Sequence, residues 1–332
     1  MKILYAVQAT GNGHISRAKD IVPILEKHGE VDIFLSGSNA KMDIPLQVKY
    51  RSKGLSLIYN SKGGLNYSAM VSHLNVLRIW KEAKQLPIEK YDIILNDFEC
   101  ITSLSCKLKH IPSVHFGHQA SYASSQVPRP EYNDKFGEFV LRNYAVGSTN
   151  IGLHFWPYDK NIFTPVIREK IRQSKPVKNG KILVYLNQFP ANTLYHIFKK
   201  IRPFQFVIFT GGITQPQGLG NVQMMPLDSD SFAEELIQCS GIITGAGFET
   251  PSEALFLEKR LMVMPIYGQY EQICNAIALK EWDVPVIKNL TEINTEKIGE
   301  WIGAKTGKPF QLLFRNEEIV EKAIESALLF RH

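Results

Sequence analysis

The residues most able to do chemistry lie in two glycine-rich turns, one in each half of the chain. The first is Thr10-Gly11-Asn12-Gly13-His14-Ile15-Ser16-Arg17. It follows a short apolar run and precedes an amphipathic stretch. Gly11 and Gly13 let the backbone approach a ligand closely, and with Asn12 they form a loop at a helix amino terminus. There the N–H groups and a partial positive charge face outward. An imidazole at such a place is favoured in its neutral form and can take a proton, so His14 is a candidate general base. The alternative is a turn histidine without a chemical role. Asn96-Asp97-Phe98-Glu99 follows a second apolar run. Asp97, at the carboxyl edge of a strand facing the same cleft, can hydrogen-bond His14 and stabilise its imidazolium. Equally, Asp97 can cap the next helix, with Glu99 in reserve. His115 and His118 follow another strand end. They read either as contacts to an acceptor molecule or as ordinary loop residues.

The second turn lies in Ile242-Ile243-Thr244-Gly245-Ala246-Gly247-Phe248-Glu249-Thr250-Pro251-Ser252-Glu253. A buried strand opens into glycines, and a helix begins near Thr250-Pro251. Proline suits that first turn, and the free N–H groups make a seat for a pyrophosphate. Glu253, one turn into the helix, can accept two hydrogen bonds from a ribose diol. Glu271-Gln272 opens a further helix and suits the vicinal hydroxyls of a sugar. Singly, each is a cap or a surface acid; the ordered set points to a nucleotide sugar. A dinucleotide site is disfavoured, because the second strand ends in Leu35-Ser36-Gly37-Ser38 with no acid for a ribose.

These residues need parallel strands to position them. Apolar runs at 2–7, 31–35, 91–95, 112–116 and 151–155 alternate with helical patterns at 16–28 and 71–85. After a polar, basic stretch bracketed by prolines, the alternation restarts. Strands are expected at 181–186, 206–209, 222–225, 241–244, 261–264 and 284–287. Helices are expected at 231–239, 250–258 and 271–280, with a closing helix at 316–330. The chain therefore reads as α/β, with two doubly wound parallel-sheet domains facing a central cleft. The expected divisions are 1–164, a linker at 165–180, 181–315, and a closing segment 316–332.

At 332 residues the chain is about two domains long at ~100–200 residues each. Its 44% apolar and 21% charged composition excludes disordered and collagenous classes. The four cysteines form no CxxC pair, and no apolar run approaches the ~18–20 residues that span a bilayer. The amino terminus reads as a strand and not a signal peptide, so a cytoplasmic protein is expected. The net charge is +6, and residues 41–90 hold nine basic and three acidic side chains. That stretch also carries Tyr50, Leu55, Leu57, Ile58, Tyr59 and Tyr67. It is either a solvated face or a patch for an anionic membrane at the inner face. No helix-turn-helix, zinc-finger or RNP pattern accompanies the charge, so nucleic acid is not expected.

The two turns together resemble the GT-B glycosyltransferases, in particular inverting families 1 and 28, the latter including the peptidoglycan N-acetylglucosaminyltransferase. The likeness runs through Gly11–His14, Gly245–Glu253 and Pro265–Ala276. It implies two Rossmann-like domains and transfer of a sugar from a nucleotide-diphosphate donor, UDP-linked (for instance UDP-N-acetylglucosamine), to a hydroxyl acceptor such as a cell-envelope glycan. It implies no cofactor and no metal. Gly247, Phe248, Glu249 and Thr250 would contact the diphosphate, Glu253 the ribose, and Glu271 and Gln272 the donor sugar. Gly211 and Met225 would border the nucleobase, and the closing helix would cross back to the first domain. The resemblance is incomplete. Gly245 stands where plant family-1 members carry His, and the first loop has one glycine fewer than the peptidoglycan enzyme. Retaining members carry an acid eight positions before the ribose glutamate; here that position is also Gly245, which favours inversion. Alternatives are a UDP-N-acetylglucosamine 2-epimerase-like enzyme and a non-catalytic nucleotide-sugar-binding protein.

Overall fold

A computed structural model describes residues 1–37, 46–54, 75–131, 134–304 and 307–330. Leu55, Leu57, Ile58, Tyr59, Tyr67 and the start of the helix expected at 71–85 lie outside the described residues.

The first sheet is parallel throughout. Its strands are β1 (Lys2–Gln8), β2 (Glu30–Ser36), β3 (Val48–Ser52), β4 (Ile93–Asp97), β5 (Val114–Gly117), β6 (Thr149–Leu153) and β7 (Ile162–Phe163). They run in the order β3-β2-β1-β4-β5-β6-β7. Residues 3–8 of β1 are all buried, as expected of a strand covered on both faces. The second sheet holds β8 (Lys181–Tyr185), β9 (Gln205–Phe209), β10 (Gln217–Leu219), β11 (Val222–Met225), β12 (Gly241–Thr244) and β13 (Arg260–Val263). Its order is β10-β11-β9-β8-β12-β13, with β10 alone antiparallel. In each sheet the strand order turns back beside the first strand, between β1 and β4 and between β8 and β12. These are the switch points at which α/β sheets leave a crevice for ligands.

Several elements differ from expectation. The first helix spans Asn12–Leu25, starting four residues before Ser16, so His14 sits in its first turn. Asn and Gly are poor helix formers, but Gly13 leaves room for a side chain from the other half, as shown below. Val284–Ile287 forms only a single bridge, Val263 to Val286, because Pro285 has no N–H to give a ladder. The edge strands β3, β7 and β10 were not expected, nor were the helices Cys100–Lys109, Ala191–Phe198 and Thr295–Gly303.

The stretch expected as a linker is packed against the body. Val166, Ile167 and Ile171 are buried, and a short helix covers Glu169–Arg172. The Lys259 ammonium donates to the carbonyls of Val177, Ile237 and Cys239 at 2.6–2.8 Å. The closing helix, Asn316–Leu328, lies against helix Asn12–Leu25 and strands β4, β5 and β6 of the first sheet. Buried Asn316 secures its start, donating to the Ile167 carbonyl at 3.0 Å and accepting from the Ile167 amide at 3.4 Å. Among the described residues no helix is long and apolar enough to cross a membrane. Asn316→Ala leaves both Ile167 backbone groups without this partner. It is expected to cost about 1–3 kcal/mol, read as a lower urea midpoint with the far-ultraviolet spectrum unchanged.

Candidate active site

Two strand ends and one helix converge at the first switch point. Asp97 is the last residue of β4 and is paired in register with Val7 of β1. Its side chain is fully buried, and three side chains converge on it. The Tyr5 hydroxyl donates at 3.2 Å, and His14 Nδ1 lies 2.8 Å from Oδ1. The Arg17 guanidinium grips both oxygens, with Nε 3.0 Å from Oδ2 and Nη2 2.7 Å from Oδ1. Asp97 is therefore not a helix cap. Glu99 takes that work, accepting from the Ile101 and Thr102 amides at 2.8 and 2.6 Å and from the Ser36 hydroxyl at 2.7 Å. The cluster closes over Gly117, at φ +121°; a Cβ there would lie 2.8 Å from Asp97 Oδ1.

Burial alone would raise the Asp97 carboxyl. The attraction of Arg17 and His14 and their hydrogen bonds outweigh burial and hold it well below the usual carboxylate range. Burial likewise opposes the Arg17 charge, but Asp97 and Glu249 keep it firmly protonated. Arg17 was missed in the sequence, although it stands one helical turn from His14 and therefore on the same face.

Arg17 also reaches the other half. Its Nη1 pairs with Glu249 Oε1, and the Glu249 side chain packs on Gly13, where a Cβ would meet Glu249 Cγ at 3.0 Å. Glu249 opens the helix Glu249–Phe256, whose N-cap Phe248 supplies no side-chain cap. Burial raises the Glu249 carboxyl, and with repulsion from Asp97 it reaches about 7 against the pull of Arg17 and His14.

Between the two switch points lies a cavity of about 500 Å³. Asn12, Gly13, Ser16 and Lys19 line one side, and Gly245, Gly247, Phe248, Glu249, Thr250 and Gln272 the other. Asn12 also hydrogen-bonds Tyr185 across the gap. Glu253 borders the cavity but is not free: Arg168 of the connecting segment forks it, Nε to Oε1 at 2.5 Å and Nη2 to Oε2 at 2.6 Å. Gln272 Oε1 accepts from the amides of Ala246 and Ile266 at 3.1 and 3.0 Å.

Other expected residues stand elsewhere. His118, read as a possible acceptor contact, is buried at the junction of the two halves. Its Nδ1 lies 2.9 Å from the Leu153 carbonyl and its Nε2 2.8 Å from Asn275 Oδ1. Its ring stacks on Phe248 at 4.0 Å. Both nitrogens are engaged, so the structure gives it a joining position instead of a cavity-facing one. Glu271 accepts from Gln119 Nε2 at 3.0 Å and does not line the cavity. His115 is buried in β5, and burial pulls it down to about 4. Gly211 is exposed just past β9, and Met225 ends β11; Leu227 lines the cavity beside them. Gly11 is the extended N-cap of the first helix.

Replacing Arg17 with Met strands a buried carboxylate, an error costing about 3–5 kcal/mol. Because the folded Asp97 carboxyl titrates below its ordinary 3.8, its contribution is complete above that value and lost as pH falls below it. Wild type should therefore lose stability steeply under acid. Asp97→Asn should flatten that limb in thermal melts taken from pH 6 downward.

A family model described as glycosyl transferase family 1 matches residues 1–304, whereas no curated protein sequence matches the chain. Solved structures share the fold at low identity. The glycosyltransferase SnogD from Streptomyces nogalater is 12% identical with a TM-score of 0.56, over 99% of this chain and 95% of that one. UGT89C1 of Arabidopsis thaliana complexed with UDP is 12% identical with a TM-score of 0.59, over 98% and 94%. LpCGTa in complex with UDP is 14% identical with a TM-score of 0.59, over 98% and 94%. Two facing α/β domains are thus the GT-B architecture, and on the match over residues 1–304 the chain belongs to glycosyl transferase family 1.

Proposed function

We propose that this glycosyltransferase moves a sugar from a nucleoside-diphosphate donor, UDP-linked, to an acceptor hydroxyl with inversion at the anomeric carbon. The observation that carries the reading is the His14–Asp97 contact at 2.8 Å across the cavity from the uncapped helix at Glu249–Thr250. The UDP complexes of UGT89C1 and LpCGTa support the choice of nucleotide.

In the proposed reaction His14 Nε2 takes the acceptor proton while Nδ1–H faces Asp97. The acceptor oxygen attacks the anomeric carbon, and the bond to the diphosphate breaks with its electron pair on the leaving group. The leaving charge rests at the amide N–H groups of Glu249 and Thr250, which do the neutralising work with no metal ion assigned to it. Thr250 can add its hydroxyl there, while Gly247 and Phe248 shape the turn. Glu253 is the ribose contact. A carboxylate has about four lone-pair sites, so the Arg168 fork leaves acceptor capacity for a diol and orients it. Gln272, with its oxygen spent on two amides, has Nε2 to donate to the donor sugar. Glu271 supports that end of the cavity through Gln119. Leu227, with Met225 and Gly211, borders the base.

His14→Ala should cut turnover about 10²–10⁴-fold while leaving donor affinity nearly unchanged. Glu253→Ala should chiefly weaken donor binding. A thermal-shift screen of nucleotide sugars identifies the donor by ligand-linked stabilisation; an unchanged donor affinity in Glu253→Ala would remove the ribose assignment.

The acceptor is proposed to be lipid-linked and met at an anionic membrane. Helix Val76–Gln85 leaves Leu77 82% exposed and Trp80 47% exposed, with the Lys84 ammonium 3.6 Å over the Trp80 ring. An apolar ridge flanked by cations suits a headgroup surface. Tyr50 is not part of it, since its hydroxyl accepts from Tyr91 and its ring packs near Phe34. Vesicle flotation should show binding to anionic but not neutral lipid, reduced by Leu77→Glu; equal binding to both would remove the proposal.

A further inference from the structure

The Arg17–Glu249 pair joins the two halves at the residue proposed as the base. The charges around His14 come from several elements. Tyr5 stands on β1, Asp97 on β4 and His115 on β5, while His118 follows β5. Arg17 shares the helix of His14, and Glu249 and Glu253 stand on the helix opposite. Nδ1 of His14 faces two of them at nearly equal range: Asp97 Oδ1 at 2.8 Å, which can only accept, and Arg17 Nη2 at 2.9 Å, which can only donate. Nδ1 cannot satisfy both. Carrying a proton it bonds Asp97 and leaves Nε2 free to act as a base. Without one it accepts from Arg17, and in a neutral ring the proton then blocks Nε2.

We infer that Glu249 is a positioning residue supplied by the donor half, which anchors Arg17 Nη1, draws its charge toward that half, and so favours the Nδ1–H tautomer of His14 that faces Asp97. This inference rests on the reading of His14 as the base. With Glu249 ionised, Arg17 sits between two carboxylates that share its charge. Without that carboxylate the Arg17 charge is balanced by Asp97 alone, and the N–H already 2.9 Å from Nδ1 becomes the stronger competitor for it. The base is therefore complete only when both halves contribute. Gly13 is what permits this, since any side chain there would meet Glu249 Cγ. The Glu249 carboxyl, raised to about 7, titrates near neutrality and is coupled to His14.

The test is nitrogen-detected titration of the His14 imidazole in the whole protein from pH 5 to 9, its signal assigned by its loss in His14→Gln. Wild type should hold the Nδ1–H tautomer above the Glu249 step near 7 and lose part of it below that step. Glu249→Gln should shift the ratio of the two neutral forms about tenfold toward Nε2–H. Glu249→Asp should restore part of the wild-type behaviour. Equal tautomer ratios in wild type and Glu249→Gln overturn the inference. If Glu249→Gln fails to fold, a wild-type tautomer ratio unchanged across the Glu249 step overturns it and a change sustains it. No donor is needed for these spectra. A protein that shows the coupling yet gains no stability from any nucleotide sugar overturns the proposed donor reading and leaves the coupling standing.

Discussion

A guanidinium withdrawn from water must be surrounded by acceptors, and Arg17 is nearly inaccessible, its side chain 1% exposed. An isolated ion at such a place would cost several kcal/mol, so the surrounding chain is organised to meet it. β4 must end in a carboxylate at the height of the helix after β1. β5 must end in a residue with no side chain, because Gly117 lies under the Asp97–Arg17 contact. One donor of the guanidinium still points out of its own domain, and Glu249 meets it from the first turn of a helix in the other. The requirement that stabilises the first domain is thus satisfied only by bringing the second one up to it.

The same logic recurs along the seam. Arg168, in the connecting segment, is answered by Glu253 on the helix that Glu249 opens. Buried His118 and Tyr122 share the Asn275 carboxamide oxygen, whose amide in turn donates to the Ala246 carbonyl beside the glycine turn. Phe248 adds a stacked contact with His118 at 4.0 Å. A seam built on several polar pairs specifies orientation more sharply than an apolar one, because a small slip leaves several groups unpaired at once. The glycine turn before the helix is therefore anchored on the first domain from two directions. That fixes where the helix terminus points.

Much of this was readable in the sequence because it is local. Strand, glycine turn and helix follow one another within a few residues at Gln8–His14 and at Thr244–Thr250; the second helix starts one residue before its expected position and the first four residues before. What escaped was long-range pairing. Arg17 looks like any surface cation on an amphipathic helix until Asp97, 80 residues away, and Glu249 are placed beside it. Arg168 looks like part of a polar tether, and His118 like a loop residue, for the same reason. Asp97 and Glu99 were interchangeable as helix cap and partner of His14. The strand decided between them: β4 runs on to residue 97, so the cap falls two positions later. Short edge strands such as β7 and β10 were missed because two or three residues carry too little periodicity to register.

The seam also constrains how a diphosphate can be held. Of the two side-chain cations bordering the cavity among the described residues, Lys19 and Arg168, Arg168 is committed to Glu253 through both ends of its fork, and Lys19 is exposed at the rim. Direct cationic clamping by side chains is therefore largely spent on joining the domains. Beyond Lys19 at the rim, what remains for the proposed diphosphate is backbone: the amides at the start of helix Glu249–Phe256, and opposite them the start of the helix after Gly11, neither capped by a side chain. Backbone donors cannot swing away or be neutralised, and their field falls off within the first turn. An anion bound this way is recognised by its position more than by its total charge. In the proposed reaction the leaving diphosphate would gain charge where these dipoles are aimed, with no side chain having to move.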